Sequence, residues 1–160
     1  FWMPFDNWSR MYDFGVHDAN RPNCFTISPD RKLFVTTSLR LDRVDVYDAQ
    51  TMQLKGRLHA PKTPSHLAFD DDSRYVFVTL QDSNEVMAIN LATMRPEWFL
   101  PVGATPAGVA VDSGADRVYV TTHGDDRVSV MIGTSSTLTG LTMGCMAPGG
   151  MRSMFCINWL

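Results

Sequence analysis

Residues 105–122 read TPAGVAVDSGADRVYVTT. Small and apolar residues alternate through Ala107-Gly108-Val109-Ala110-Val111, a polar stretch Asp112-Ser113-Gly114-Ala115-Asp116 interrupts them, and Val118-Tyr119-Val120-Thr121 alternates again. A period of two, carried by β-branched and aromatic residues around a Gly- and Asp-containing break, describes two strands joined by a turn. An isolated hairpin is marginal in water, so the stretch must pair with something else in the chain.

Working outward, the same spelling returns. Pro22, Pro64, Pro106 and Pro148 stand 42 residues apart. Asp42, Asn84 and Asp126 keep this interval, as do Val44, Val86 and Val128, and Val46, Ala88 and Val130; Thr51-Met52 returns as Thr93-Met94. Each copy divides into four extended segments. The first follows the proline (NCFTI, SHLAF, AGVAV) and the second comes after a turn (KLFVTT, YVFVTL, RVYVTT). The third is RVDVYD, EVMAIN or RVSVMI, and a weaker fourth is LKGRLH, EWFLPV or TGLTMG. The prolines fall between copies, where no strand ladder needs their missing N–H.

Four short antiparallel strands in a unit of this length make a β-propeller blade. A lone four-stranded sheet covers neither of its apolar faces, so such units must stack face to face. A sandwich carries no such period, and a helical repeat would show a period of 3.6. The expected fold is therefore all-β: one partial propeller over residues 1–160, with about three complete blades at 22–63, 64–105 and 106–147. Residues 1–21 read as the end of a preceding blade, and 148–160 as the start of a further blade or a divergent tail. Residues 131–160 hold one charged residue, Arg152, and five of the ten methionines. An open arc of blades exposes an apolar face at each end. It is resolved by a longer propeller of which this chain is a fragment, by a homo-oligomer completing the ring, or by closure of four blades through the two termini.

Composition removes several function classes. The net charge is −3, and Arg40, Arg43, Arg74, Arg95, Arg117 and Arg127 are scattered, so nucleic acid is not an expected partner. No stretch of 18 apolar residues occurs, so no membrane-spanning helix is expected. The three cysteines, Cys24, Cys145 and Cys156, form neither CxxC nor CxxCH, so a c-type haem attachment site is absent. No Ser-His-Asp order, P-loop or GxGxxG is present; GTSSTLTG lacks the lysine.

The stretch VGATPAGVAVDSGADRVYVTTHGDDRVSVM closely resembles the YVTN-type β-propeller repeat, with the hallmark at Tyr119-Val120-Thr121-Thr122, Phe77-Val78-Thr79 and Phe34-Val35-Thr36. The resemblance runs over about residues 13–130. It implies a seven-bladed ring in an exported protein, periplasmic or extracellular. The family is also similar to the propellers of haem-containing nitrite reductases, quinoprotein amine dehydrogenases and lactonases. The functional expectation is a non-enzymatic platform binding a protein or small-molecule ligand at the propeller face, with no cofactor. The alternative is the propeller portion of a periplasmic redox enzyme with a haem or quinone, and a lactonase-like hydrolase comes third.

Candidate site residues follow from the repeat. The innermost strand of each blade lines the channel, and the second residue after each repeat proline is Cys24, His66, Gly108 or Gly150. Of these, His66 alone carries an imidazole, able to ligate a metal or haem or to act as a general base. Cys24 and His123, the latter in the turn HGDD beside Asp125 and Asp126, complete the ligand-binding candidates at the channel mouth. No catalytic residue and no metal set is assigned. Asp70-Asp71-Asp72 lacks the spacing of a calcium loop and reads as a turn. Trp98 reads as packing between blades.

Overall fold

Val, Tyr, Phe and Thr at alternating positions hold the backbone extended, and Asp, Asn, Gly and Pro break it at regular intervals. In a computed structural model, which describes residues 22–132 and the backbone of 143–146 and 154–156, all of the described regular structure is β. The first sheet holds β1 (Pro22–Ile27), β2 (Leu33–Ser38), β3 (Arg43–Asp48) and β4 (Leu54–His59). The second holds β5 (Pro64–Phe69), β6 (Tyr75–Leu80), β7 (Glu85–Asn90) and β8 (Arg95–Pro101). The third orders β9 (Pro106–Asp112), β10 (Arg117–Thr122), β11 (Arg127–Ile132), β12 (Met143–Met146) and β13 (Met154–Cys156). Pairing is antiparallel throughout, and β13 extends the third sheet as a fifth strand on β12. The expectations for residues 1–21, for GTSSTLTG and for Gly150 lie outside the described residues.

The sheets are blades in chain order. Their first strands, β1, β5 and β9, lie next to one another, so that edge is the inner one. Two apolar cores fill the spaces between blades. One joins Val35, Val44, Val46 and Leu58 of the first blade to Leu67, Phe69, Val76, Val78, Met87 and Ile89 of the second. The other joins Phe77, Val86, Ala88 and Leu100 of the second blade to Val118, Val120 and Met131 of the third, with Trp98 packed against it. Neighbouring positions on one strand thus serve opposite blades, which is why β6 is buried along its whole length.

The hallmark threonine has a specific task. Each inner strand starts irregularly: its register against the second strand slips between Pro22 and Cys24, between Pro64 and Leu67, and opposite Val120–Thr122. A slip leaves an amide without its ladder partner. A threonine hydroxyl accepts it: Cys24 N donates to Thr37 Oγ1 at 3.2 Å, His66 N to Thr79 Oγ1 at 3.0 Å, and Gly108 N to Thr121 Oγ1 at 2.8 Å. The hydroxyl proton then reaches the next blade, from Thr37 to Ser65 O at 2.7 Å and from Thr79 to Ala107 O at 2.8 Å. In the first blade the hallmark residue is therefore Thr37, and the triplet equivalent to Tyr119-Val120-Thr121 is Val35-Thr36-Thr37. Reading Phe34-Val35-Thr36 by residue type shifts the register by one, because that blade has Thr at two successive positions.

The repeated Asp42, Asn84 and Asp126 also acquire a reason. All three have positive φ (47°, 59° and 52°), a conformation that Asn and Asp tolerate better than most residues. Asp42 Oδ1 accepts Thr63 N at 2.9 Å, and Asn84 Oδ1 accepts Thr105 N at 2.8 Å. Each clamps the link between one blade and the next onto the turn between the second and third strands.

Candidate functional site

The end of the sheets where β1, β5 and β9 begin carries the turns between second and third strands and the links between blades. At this end Pro64 leads into Ser65 and His66. Ser65 is almost fully buried, whereas His66 is exposed. Ser65 Oγ lies 2.9 Å from His66 Nδ1. Gln81, just past β6, donates from Nε2 to Ser65 Oγ at 3.2 Å. Asn23, on the neighbouring blade, donates from Nδ2 to Ser65 Oγ at 3.4 Å and to Ser65 O at 3.3 Å. A buried serine thus ties two blades together and steadies an exposed imidazole.

His123 occupies in the third blade the position that Gln81 occupies in the second. Its amide donates to Thr105 O at 3.1 Å, and that of Gly124 to Ala104 O at 2.9 Å, matching Gln81 N to Thr63 O and Asp82 N to Lys62 O. The turn sits close on the blade link: a Cβ on Gly124 would lie 2.8 Å from Ala104 Cβ, and one on Gly103 would lie 2.6 Å from Asp125 Oδ2. Close packing therefore accounts for the glycine of HGDD and positive φ for Asp126, while the His123 side chain stays exposed. Cys24 is half-buried against the first interblade core. Among the described residues no hydrogen bond joins the side chains of Cys24, His66 and His123, and no group of three or more His, Cys, Asp or Glu converges as a metal site.

Gln81 and Asn23 are the residues that sequence reasoning missed. The signal was available, since Gln81 shares its repeat position with His123, and Asn23 shares its own with Ser65. At the opposite end, Asp70 Oδ1 accepts the amides of Arg74 and Tyr75 at 2.8 and 2.9 Å, so Asp70-Asp71-Asp72 is a turn. Turns of adjacent blades are linked there, Asp30 N to Ser73 Oγ at 3.1 Å and Asp71 N to Ser113 Oγ at 3.0 Å. A shallow hollow of about 570 Å³ lined by Asn90, Thr93, Arg95, Pro96 and Glu97 also opens at that end.

Comparison with known proteins agrees with this architecture. Hydrazine synthase of Kuenenia stuttgartiensis superposes with a TM-score of 0.69 at 22% identity, over 74% of this chain and 35% of that one. A 6-phosphogluconolactonase-like protein of Bacteroides fragilis, described as putative in function, gives 0.73 at 11% identity, over 81% and 39%. The dihydro-heme d1 dehydrogenase NirN gives 0.66 at 16% identity, over 77% and 28%. The chain spans well under half of each, and likeness at these identities speaks for the fold alone. No curated protein matches. A family model described as YNCE-like beta-propeller matches residues 12–137; the chain belongs to the YNCE-like β-propeller family.

Proposed function

We propose that this chain forms part of an exported propeller that acts as a binding platform, meeting a small-molecule or protein ligand at the end where β1, β5 and β9 begin. The observation that carries this reading is the Asn23–Ser65–Gln81 network behind His66. Three polar groups from two blades orient one exposed ring, an arrangement that serves recognition, since the serine is too buried to act as a nucleophile. Export rests on the resemblance to the YVTN-type repeat.

A screen of the chain against oxoacids, sugars and short peptides by thermal shift tests the platform, with the double substitution His66→Ala/His123→Ala as control. The expected result is a ligand whose stabilisation disappears in the double variant while the unliganded Tm stays within about 2 °C, since exposed side chains contribute little to stability. Turnover of a lactone would replace the platform with an enzyme. The second reading, the propeller portion of a redox enzyme, draws on the fold shared with NirN, whose solved complex contains DHE. It requires haem to bind with an absorption change that His66→Ala abolishes.

A further inference from the structure

The hydrogen-bond count around Ser65 decides which nitrogen of His66 faces outward. A serine hydroxyl offers one proton and two lone pairs. Asn23 Nδ2 lies within reach of both Ser65 O and Ser65 Oγ. The carbonyl already accepts the Thr37 hydroxyl at 2.7 Å. Turning the Asn23 amide over would set its oxygen against the Ser65 carbonyl, which can only accept, so its NH₂ faces Ser65. Gln81 Nε2 supplies the second donor. With Asn23 Nδ2 and Gln81 Nε2 as the two donors, both lone pairs are engaged and the Ser65 proton points along the 2.9 Å line to His66 Nδ1. A neutral imidazole that accepts at Nδ1 carries its own proton on Nε2.

We infer that His66 presents an Nε2–H donor at this end of the propeller, and that the site takes a ligand oxygen acceptor, a carboxylate or a carbonyl. Ligation of a metal through Nε2 would move the ring proton to Nδ1, directly against the Ser65 O–H, and would undo the network that spans the two blades. The ligand half of the inference rests on the platform reading of this face; the tautomer does not.

Two-bond ¹H–¹⁵N correlation of the imidazoles in the ¹⁵N-labelled 160-residue chain, at a pH where they are neutral, reads the tautomer directly. The expected result is a His66 ring protonated on Nε2, with Ser65→Ala shifting it to a mixture. Sodium acetate and acetamide then probe carboxylate and carbonyl acceptors, and zinc chloride probes metal binding. At least one acceptor is expected to move the His66 ring signals, with about threefold weaker binding in Ser65→Ala, the worth of one modest hydrogen bond. An Nδ1–H ring, or zinc perturbing His66 more strongly than either acceptor, overturns the inference and leaves the platform to its own screen. An Nε2–H ring that answers neither acceptor overturns the ligand half. A failed screen overturns the platform reading and the ligand half with it, and leaves the tautomer to the ring protonation alone.

Discussion

The middle blade and its two neighbours are built from the same repeat, yet equivalent positions live in different surroundings. Leu67 and Phe69 of β5 are 7% and 9% exposed, whereas Phe25 and Ile27, one repeat earlier on β1, are 58% and 42% exposed. On the other side Phe77, Val86 and Ala88 are buried, while Tyr119, Val128 and Val130, one repeat later, are only half-buried. Thr79 is fully buried and bonded across to Ala107 O; Thr121 is exposed, and the carbonyl it reaches is its own blade's Gly108 O at 3.5 Å. Blade faces are complementary by repetition, so a position reaches its intended environment only with a neighbour on that side. Equal sequence does not mean equal burial.

The sharpest way to break this comparison is a matched pair of truncations read by urea unfolding. Phe77→Ala empties a site closed on both sides and is expected to cost about 3–4 kcal/mol. Tyr119→Ala, at the same repeat position, is expected to cost about 1 kcal/mol. Equal costs would mean that the outer face of the third blade is covered in solution.

The threonine clamp offers the next test. Thr79→Val keeps the shape but leaves His66 N–H and Ala107 O without their partner, which is expected to cost about 2 kcal/mol. Thr121→Val strands one amide near water and is expected to cost about 0.5 kcal/mol. Hydrogen exchange at the His66 amide provides a local readout: it should accelerate in Thr79→Val and stay unchanged in Thr121→Val.

The smallest effect concerns acid. Asp48 accepts the amides of Gln50 and Thr51 at 3.0 and 2.9 Å and pairs with Lys55 at 3.1 Å. In the middle blade Asn90 does the same for Ala92 and Thr93 at 2.9 and 3.3 Å. The Thr51 amide, followed by Lys55, holds the Asp48 carboxyl below its ordinary value of 3.8. Folding therefore favours the ionised form. Its contribution is complete above that ordinary value and is lost as pH falls below it, toward the lower folded-state value. Asp48→Asn, which copies the middle blade, is expected to flatten the acid limb of a Tm-versus-pH curve below about pH 4; an unchanged limb would show that Asp48 plays no part in it.

The first blade departs from the others in one further way. Asp45 stands where β7 has Met87 and β11 has Ser129, and it holds Arg43 at 2.9 Å and Arg57 at 2.8 Å. Burial and the neighbouring Asp45 charge push the Tyr47 hydroxyl pKa up. An ion cluster at a position held by Met87 and Ser129 in the later blades marks that face as different from the two joints inside the arc.

By itself the sequence determined the repeat, and with it the blade, the strand order and the all-β class. These follow from alternation with a period of two and from a fixed interval between prolines, both properties of neighbours along the chain. It also singled out His66 by residue type and Asp42, Asn84 and Asp126 by recurrence. Only the tertiary structure decided what those residues do. A hydroxyl that accepts within one blade and donates into the next is invisible along the chain, because Thr79 and Ala107 are 28 residues apart. The partners of Ser65 are likewise drawn from positions 23, 66 and 81 on two blades. Hydrogen-bond direction depends on which groups meet in space, so the residues that surround Ser65, and not the sequence around His66, bear on which ring nitrogen faces outward.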